Sequence, residues 1–388
     1  MRSWAIEMQR TVETMTPSPL SPAHCPVLVV KVGSALLVAP EGKVRREWLA
    51  SLVADIAGRI RAGQRIVIVS SGAIALGARR LGLPKGGRAS LEDAQASAAT
   101  GQIALSQCWA ELLGEHGITA AQMLVTLDDL EDRRRFLNAS ATLRRLIALD
   151  VVPVINENDS VATEEIRFGD NDRLAARIAQ AAGAGGVVLL SDVDGLYTAN
   201  PKNDPDAKLV ESVARIDARI RAMADGGSAS GMGSGGMLSK LEAARIATSA
   251  GAHLAIANGT HEHPLQRLDE TGRCTVFTAG KQGKGRKLWL AGRMTARGRI
   301  AVDAGAVSAL AKGSSLLPAG ATAIEGRFAR GDVIEIAGPG GEVIARGLSE
   351  YDAADAARIV GLRSDEIAEV LGYAPRSALV HRDQMVLL

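Results

Sequence analysis

The chain has 388 residues, of which 47% are hydrophobic and only 3% aromatic, so its core is aliphatic and alanine-rich. That length suffices for two domains, and 42 glycines without a collagen-like period suit many tight turns between strands and helices. A net charge of +2 gives no field favouring nucleic acid or membrane, and no apolar run approaches the ~20 residues of a membrane span. Three widely spaced cysteines, Cys25, Cys108 and Cys274, make neither a disulfide framework nor a metal motif, and the simplest setting is a reducing cytoplasm.

Residues 1–26 carry Pro17, Pro19, Pro22 and Pro26 and lack a signal-peptide core, so they read as a flexible extension in which Met15 is an alternative start. The first strand is Val27 to Val30, followed by Lys31-Val32-Gly33-Ser34. A helix follows with Trp48, Leu49, Leu52, Val53, Ile56 and Ile60 at helical spacing. Ile66 to Val69 is the second strand, ending in Ser70-Ser71-Gly72. Strand, helix, strand is a βαβ unit, so the sheet is parallel. Residues 92–115 read as a long helix interrupted near Gly101, and 128–149 as a charged helix with Arg133, Arg134 and Arg135 on a solvated face.

Val151 to Ile155 is an apolar strand, and Pro153 inside it predicts a strand end or a sheet edge. The polar cluster Asn156-Glu157-Asn158-Asp159 is expected in the loop beyond. Gly169-Asp170-Asn171-Asp172 then opens a helix. Two polar clusters bracketing a strand-to-helix excursion lie where α/β sheets bind ligands. Turn and cap chemistry explains isolated Asp and Asn residues, but less well two such dense clusters. Val187 to Leu190 is another strand, ending in Ser191-Asp192. The expected fold is an α/β/α sandwich with a mainly parallel sheet over 27–279. A Gly/Lys-rich linker at 280–295 precedes a small, mostly β domain at 296–375 and a tail at 376–388. Its expected strands are 323–326, 332–336 and 342–345.

Ser230 to Lys240 formally contains G-x-G-x-x-G, but no first strand of a βαβ unit precedes it, and no Walker A pattern exists. A glycine loop entering a helix beside a lysine is still a phosphate cradle. A lysine ending a buried strand, as Lys31 does, must reach a partner or a ligand. Two lysines, glycine N–H groups and an aspartate describe phosphoryl transfer by positioning and charge neutralisation, with Ser71, Asp159 and Asn171 as an acceptor cradle. His261 and His263 lack a third ligand and read as a surface turn.

The ordered set KVGS (31–34), VSSGAI (69–74), FLNA (136–139), VPVINENDSVAT (152–163), GDND (169–172), SDVDGLYTANP (191–201) and SGMGSGGMLSK (230–240) resembles the amino acid kinase family, specifically its glutamate-phosphorylating members. GSSLLPAG (313–320) and GRFARGDVI (326–334) are similar to PUA domains. The resemblance implies ATP with Mg²⁺ bound mainly through its phosphates, L-glutamate as acceptor, and an acyl phosphate product that begins proline biosynthesis. It places Ser71, Asp159 and Asn171 at glutamate. It places Lys31, Ser191, Asp192, Ser234, Gly235, Gly236, Met237, Leu238, Ser239 and Lys240 at the nucleotide. Lys31 and Lys240 would neutralise the transferring phosphoryl group while Asp172 holds them. Feedback inhibition by proline and a homo-oligomer are expected as well. Two positions commonly Thr in the family are Ser191 and Ser234 here, and both keep a hydroxyl.

Aspartate, acetylglutamate or a nucleoside monophosphate are the rival acceptors, and only the resemblance of INEND and GDND discriminates against them. An RNA-binding module is the rival of another class. From Leu288 to Leu388 there are 11 Lys/Arg against 12 Asp/Glu, which lacks a basic footprint for nucleic acid.

Overall fold

The computed structural model describes residues 18–161, 171–201, 203–225, 236–280, 296–363, 365–373, 376 and 378–387. Val27–Val32 forms β1, followed by the short helix α1 (Ser34–Leu37), α2 (Arg46–Arg61) and β2 (Arg65–Val69). Next come α3 (Ala73–Leu81), α4 (Leu91–Glu115), β3 (Ala120–Val125), α5 (Leu127–Glu131), α6 (Arg133–Ala148) and β4 (Val152–Glu157). Then follow α7 (Asn171–Ala182), β5 (Gly186–Ser191), β6 (Ser212–Val213), α8 (Ala218–Asp225) and α9 (Met237–Ser249). The strand β7 (His253–Asn258), α10 (Pro264–Thr271) and β8 (Cys274–Phe277) complete one sheet, in the order β3-β4-β2-β1-β5-β7-β8-β6. The pairings from β3 through β7 are parallel, and β7 with β8 is antiparallel. The chain divides into two compact units, the first made of residues 1–126, 145–248 and 252–279.

Alternation along β1 sends Leu28, Val30 and Val32 into one core with Trp48, Leu49, Leu52 and Ile56 of α2. Val29 and Lys31 therefore face the other side of the sheet, where α7 packs on β1. Lys31 is inside the strand rather than after it, one residue from its end. Similarly, Asn156 and Glu157 are the last two residues of β4 and are buried, not members of the following loop.

Two sequence expectations fail for identifiable reasons. The helix α4 runs unbroken through Gly101. A Cβ at Gly101 would stand 1.9 Å from the Ala73 carbonyl oxygen, and one at Gly77 of α3 would stand 1.7 Å from that of Ser97. These glycines allow two helix backbones to touch; they do not break a helix. The other case is Pro153, which is not on a sheet edge, because β4 lies between β3 and β2. Val152 donates its N–H to Thr119 on the β3 side, so alternation turns the Pro153 nitrogen toward β2. The ladder with β2 pairs only Val154 and Ile155, so the missing N–H falls outside it.

Part of the amino-terminal stretch is packed, contrary to the expectation of a flexible extension. Leu20 and Cys25 are buried, and the Leu20 carbonyl accepts hydrogen bonds from Arg59 and Gln64, each at 3.1 Å. Residues 1–17 lie outside the described residues. The expected charged helix at 128–149 is two helices, α5 and α6, and Arg135 pairs with Asp129 at 2.9 Å.

The second unit contains residues 127–144, 249–251 and 280–388. Its strands β9 (Gly298–Val302), β10 (Ala321–Gly326), β11 (Val333–Ala337), β12 (Val343–Leu348) and β13 (Met385–Leu387) form a sheet in the order β10-β9-β11-β12-β13. The sequence reading found the middle three in order but missed β9 and β13. Ile300, Ile334, Ile336 and Ala345 point inward from this sheet onto Tyr351 and Ile359.

Candidate active site

Parallel strands end together, so the carboxyl ends of β1, β2, β4 and β5 bring Lys31, Ser70, Asn156 and Ser191 to one side of the sheet. Lys31 lies in register with Val69 of β2 and Leu189 of β5. Asp172, in the first turn of α7, reaches it: Lys31 Nζ is 2.7 Å from Asp172 Oδ1. Lys240, in the first turns of α9, donates to Asp172 Oδ2 at 2.9 Å. One carboxylate thus spans two ammonium groups, and all three side chains are buried. Burial by itself pushes the Asp172 carboxyl up, but the charges and hydrogen bonds of Lys31 and Lys240 outweigh it and hold the carboxyl below its ordinary range. Two cations against one anion leave a single excess positive charge in a partly dry place. Such a cluster is suited to an anionic ligand.

At the end of β2, Asn171 Nδ2 donates to the Ser70 carbonyl at 2.9 Å, to Ser71 Oγ at 2.5 Å and to Asn156 Oδ1 at 3.2 Å. The Asn171 Oδ1 at the other end of the amide is buried without a hydrogen-bond partner, which leaves it open to a donor. Trp109, fully buried in α4, donates to Ser70 Oγ at 3.0 Å and anchors this strand end. Gly72 follows at φ +105°, a left-handed conformation that lets the chain turn from Ser71 into α3.

Asp159 stands in the loop after β4 and lines a cavity of about 450 Å³ together with Gln102, Glu157, Asn158 and Ser160. Desolvation raises its carboxyl from 3.8 to about 6, with the charge of Arg88 pulling the other way. The strand β4 links Asn171 and Asp159: its Asn156 bonds Asn171, and its Glu157 lines the cavity beside Asp159.

On the other flank, Ser191 ends β5, and its hydroxyl donates to Asp192 Oδ1 at 3.1 Å. Gly236 precedes α9, and Met237, Leu238 and Ser239 form its first turn ahead of Lys240. Ser234 and Gly235 lie outside the described residues. The sequence reading passed over Asn258-Gly259-Thr260, which the fold sets beside Ser191. Gly259 donates its N–H to the Ser191 carbonyl at 2.7 Å, and a Cβ there would meet Leu36 Cδ1 at 2.6 Å. The signal was present, since Leu254 to Ala257 is an apolar run ending in Asn-Gly-Thr.

The amino acid kinase family model matches residues 26–258, and the PUA domain model matches residues 298–371. Glutamate 5-kinase of Sphingopyxis alaskensis is 69% identical over 367 residues, covering 95% of this chain and 99% of the relative. Glutamate 5-kinase of Zymomonas mobilis is 62% identical over 95% of this chain and 92% of its own length. That of Novosphingobium aromaticivorans is 62% identical over 94% and 96%. With its buried lysine pair, one at a strand end and one at a helix start, its family match over most of the sheet and these full-length relatives, the chain belongs to the amino acid kinase family, among the glutamate 5-kinases that carry a PUA domain.

Proposed function

We propose that this chain transfers the γ-phosphoryl group of ATP to the side-chain carboxylate of L-glutamate. The product is L-glutamyl 5-phosphate, the acyl phosphate that opens proline biosynthesis. The observation that carries the reading is the buried Lys31–Asp172–Lys240 cluster with its excess positive charge. A glutamate side chain has a reference pKa near 4.3, so it is a nucleophile at neutral pH without a general base. The obstacle is the repulsion between two anions, the carboxylate and the γ-phosphate, in a poorly screened cleft. Lys31 and Lys240 offset it as charge develops on the transferring group, and Asp172 keeps both ammonium groups aimed.

Ser71, Asn171 and Asp159 hold the acceptor in this reading: the Asn171 Oδ1 and the Asp159 carboxylate accept from its α-ammonium group. Ser191, Asp192 and the segment from Ser234 to Lys240 take the nucleotide. Each oxygen of Asp172 faces an ammonium group, and no cluster of three metal-ligating side chains occurs among the described residues. That donor set fits Mg²⁺ carried by the ATP phosphates, where it would neutralise phosphate charge. Proline as feedback inhibitor, a homo-oligomer and a cytoplasmic setting accompany the reading, and no helix among the described residues is long and apolar enough to cross a membrane.

The test is ADP release from Mg-ATP with glutamate, aspartate, acetylglutamate and UMP as acceptors, with hydroxylamine present to trap acyl phosphate. Glutamate-dependent hydroxamate suppressed by proline is expected. Turnover with a different acceptor alone would overturn the substrate assignment and keep the phosphoryl-transfer site.

A further inference from the structure

The acceptor site contains a row of three side-chain amides, Gln102, Asn156 and Asn171, of which the last two are oriented by backbone groups. The Glu157 N–H can only donate, and it donates to Asn156 Oδ1 at 2.9 Å, so the other end of that amide is Nδ2. The Ser70 carbonyl can only accept, which makes the bonded end of Asn171 its Nδ2. Asn156 Nδ2 in turn donates to Gln102 Oε1 at 2.8 Å across 54 positions of sequence. The oxygen of Gln102 is therefore committed to the network, and its Nε2 is the outward end. No partner for Gln102 Nε2 occurs among the described residues, while the residue lines the 450 Å³ cavity beside Glu157 and Asp159.

The lining is acidic at those two positions, so it suits the α-ammonium group of an amino acid and repels its α-carboxylate. A donor held in place is needed for the latter. Ser106, which also lines the cavity, spends its hydroxyl proton on the Gln102 and Ile103 carbonyls. Gln102 is the lining donor whose amide is pre-oriented by other side chains, and pre-orientation is what makes a hydrogen bond discriminate.

We propose that Gln102 is a specificity-determining residue of the acceptor site, its Nε2 binding the α-carboxylate of the amino-acid acceptor. This rests on the glutamate reading above and adds to it a reason why the acceptor must carry a free α-carboxylate. By accepting from Asn156 Nδ2, the same side chain also closes the amide row that ends at Asn171.

The experiment compares L-glutamate with its α-amide, which keeps the reacting side-chain carboxylate, by hydroxamate formation in the unmodified protein, Gln102→Glu and Gln102→Leu. The Gln102→Glu change keeps an oxygen for Asn156 and replaces the donor with an anion. It should raise the KM for glutamate about 10- to 100-fold, the range for a hydrogen bond to a charged group. The kcat and the KM for ATP should change less than about threefold, and the preference for glutamate over the α-amide should collapse by the same 10- to 100-fold. Gln102→Leu, which loses both polar ends, should also lower kcat. The ratio of kcat/KM for the two acceptors does not depend on the active fraction, so a poorly folding sample still reports. An unchanged ratio in Gln102→Glu would overturn the proposal. No glutamate turnover in the unmodified protein would instead sink the reading on which it rests, and the proposal with it.

Discussion

Lys240 donates to Asp172 Oδ2 at 2.9 Å although the two residues are 68 positions apart, one opening α9 and the other opening α7. The second oxygen of the same carboxylate lies 2.7 Å from Lys31 Nζ, so one side chain fixes the separation of two cations. Under the proposed function, removing Lys240 and removing Asp172 should have different consequences.

In the proposed reaction, Lys240→Ala removes a charge that acts mainly as the phosphoryl group moves. The expected result is a kcat lower by about 10²–10³-fold, with the KM for glutamate changed only a few-fold. Steady-state kinetics at saturating ATP check this, and a pure KM effect would remove Lys240 from the catalytic step.

Asp172→Asn leaves two buried ammonium groups facing each other without their counter-charge. Breaking a buried pair of this kind costs about 3–5 kcal/mol, so stability should fall along with kcat. Denaturant unfolding of the variant beside Lys240→Ala separates the two effects. An Asp172→Asn protein of unchanged stability would contradict the charge accounting.

The Asp159 carboxyl, raised to about 6 by desolvation, gives a pH dependence with a definite sign. In the proposed reaction its ionised form pairs with the acceptor's ammonium group, so kcat/KM for glutamate should fall about tenfold per pH unit as pH drops below about 6. Free glutamate keeps its side chain ionised there, since its reference pKa is near 4.3. In Asp159→Asn the KM for glutamate should rise and this limb of the profile should vanish. For stability the sign is opposite: the folded protein retains the proton between pH 3.8 and about 6 while the unfolded chain loses it, so this group's contribution declines as pH rises through that window.

Gly101→Ala places a methyl group 1.9 Å from the Ala73 carbonyl oxygen, which is backbone and cannot rotate away. The helices α3 and α4 must separate, at a cost of about 1–3 kcal/mol or more. Because α3 starts directly after Ser71 and Gly72, the KM for glutamate should rise more than the KM for ATP. Thermal unfolding and paired KM values check both parts, and equal shifts in the two KM values would argue for a global defect.

Much of this was legible before any coordinates. Apolar β-branched runs, helical stripes such as Trp48, Leu52 and Ile56, and polar residues at strand ends are local patterns, and they led to the alternating α/β order and to Lys31, Ser71, Asn171 and Asp172. Local pattern misread Gly101 as an interruption and Pro153 as an edge signal. In both cases the deciding partner lies elsewhere in the chain, Ala73 for the one and the start of the β2 ladder for the other. Gln102 lies in a helical stretch with no chemical signature of its own and is tied to the site through Asn156, whereas Gly259 follows an apolar run whose Asn-Gly-Thr end is a readable signal and meets Ser191 only in the fold.

Sequence by itself determined which residues carry charge and hydrogen-bonding capacity, and that they stand at the ends of strands and the starts of helices. Only the tertiary structure decided that β4 lies beside β2, that β1 lies between β2 and β5, and that α7 and α9 open toward the same point. The physical reason is that parallel neighbours are joined through intervening helices, so strand order is chosen by how buried faces pack. That choice brings Lys31, Asp172 and Lys240 within hydrogen-bonding distance.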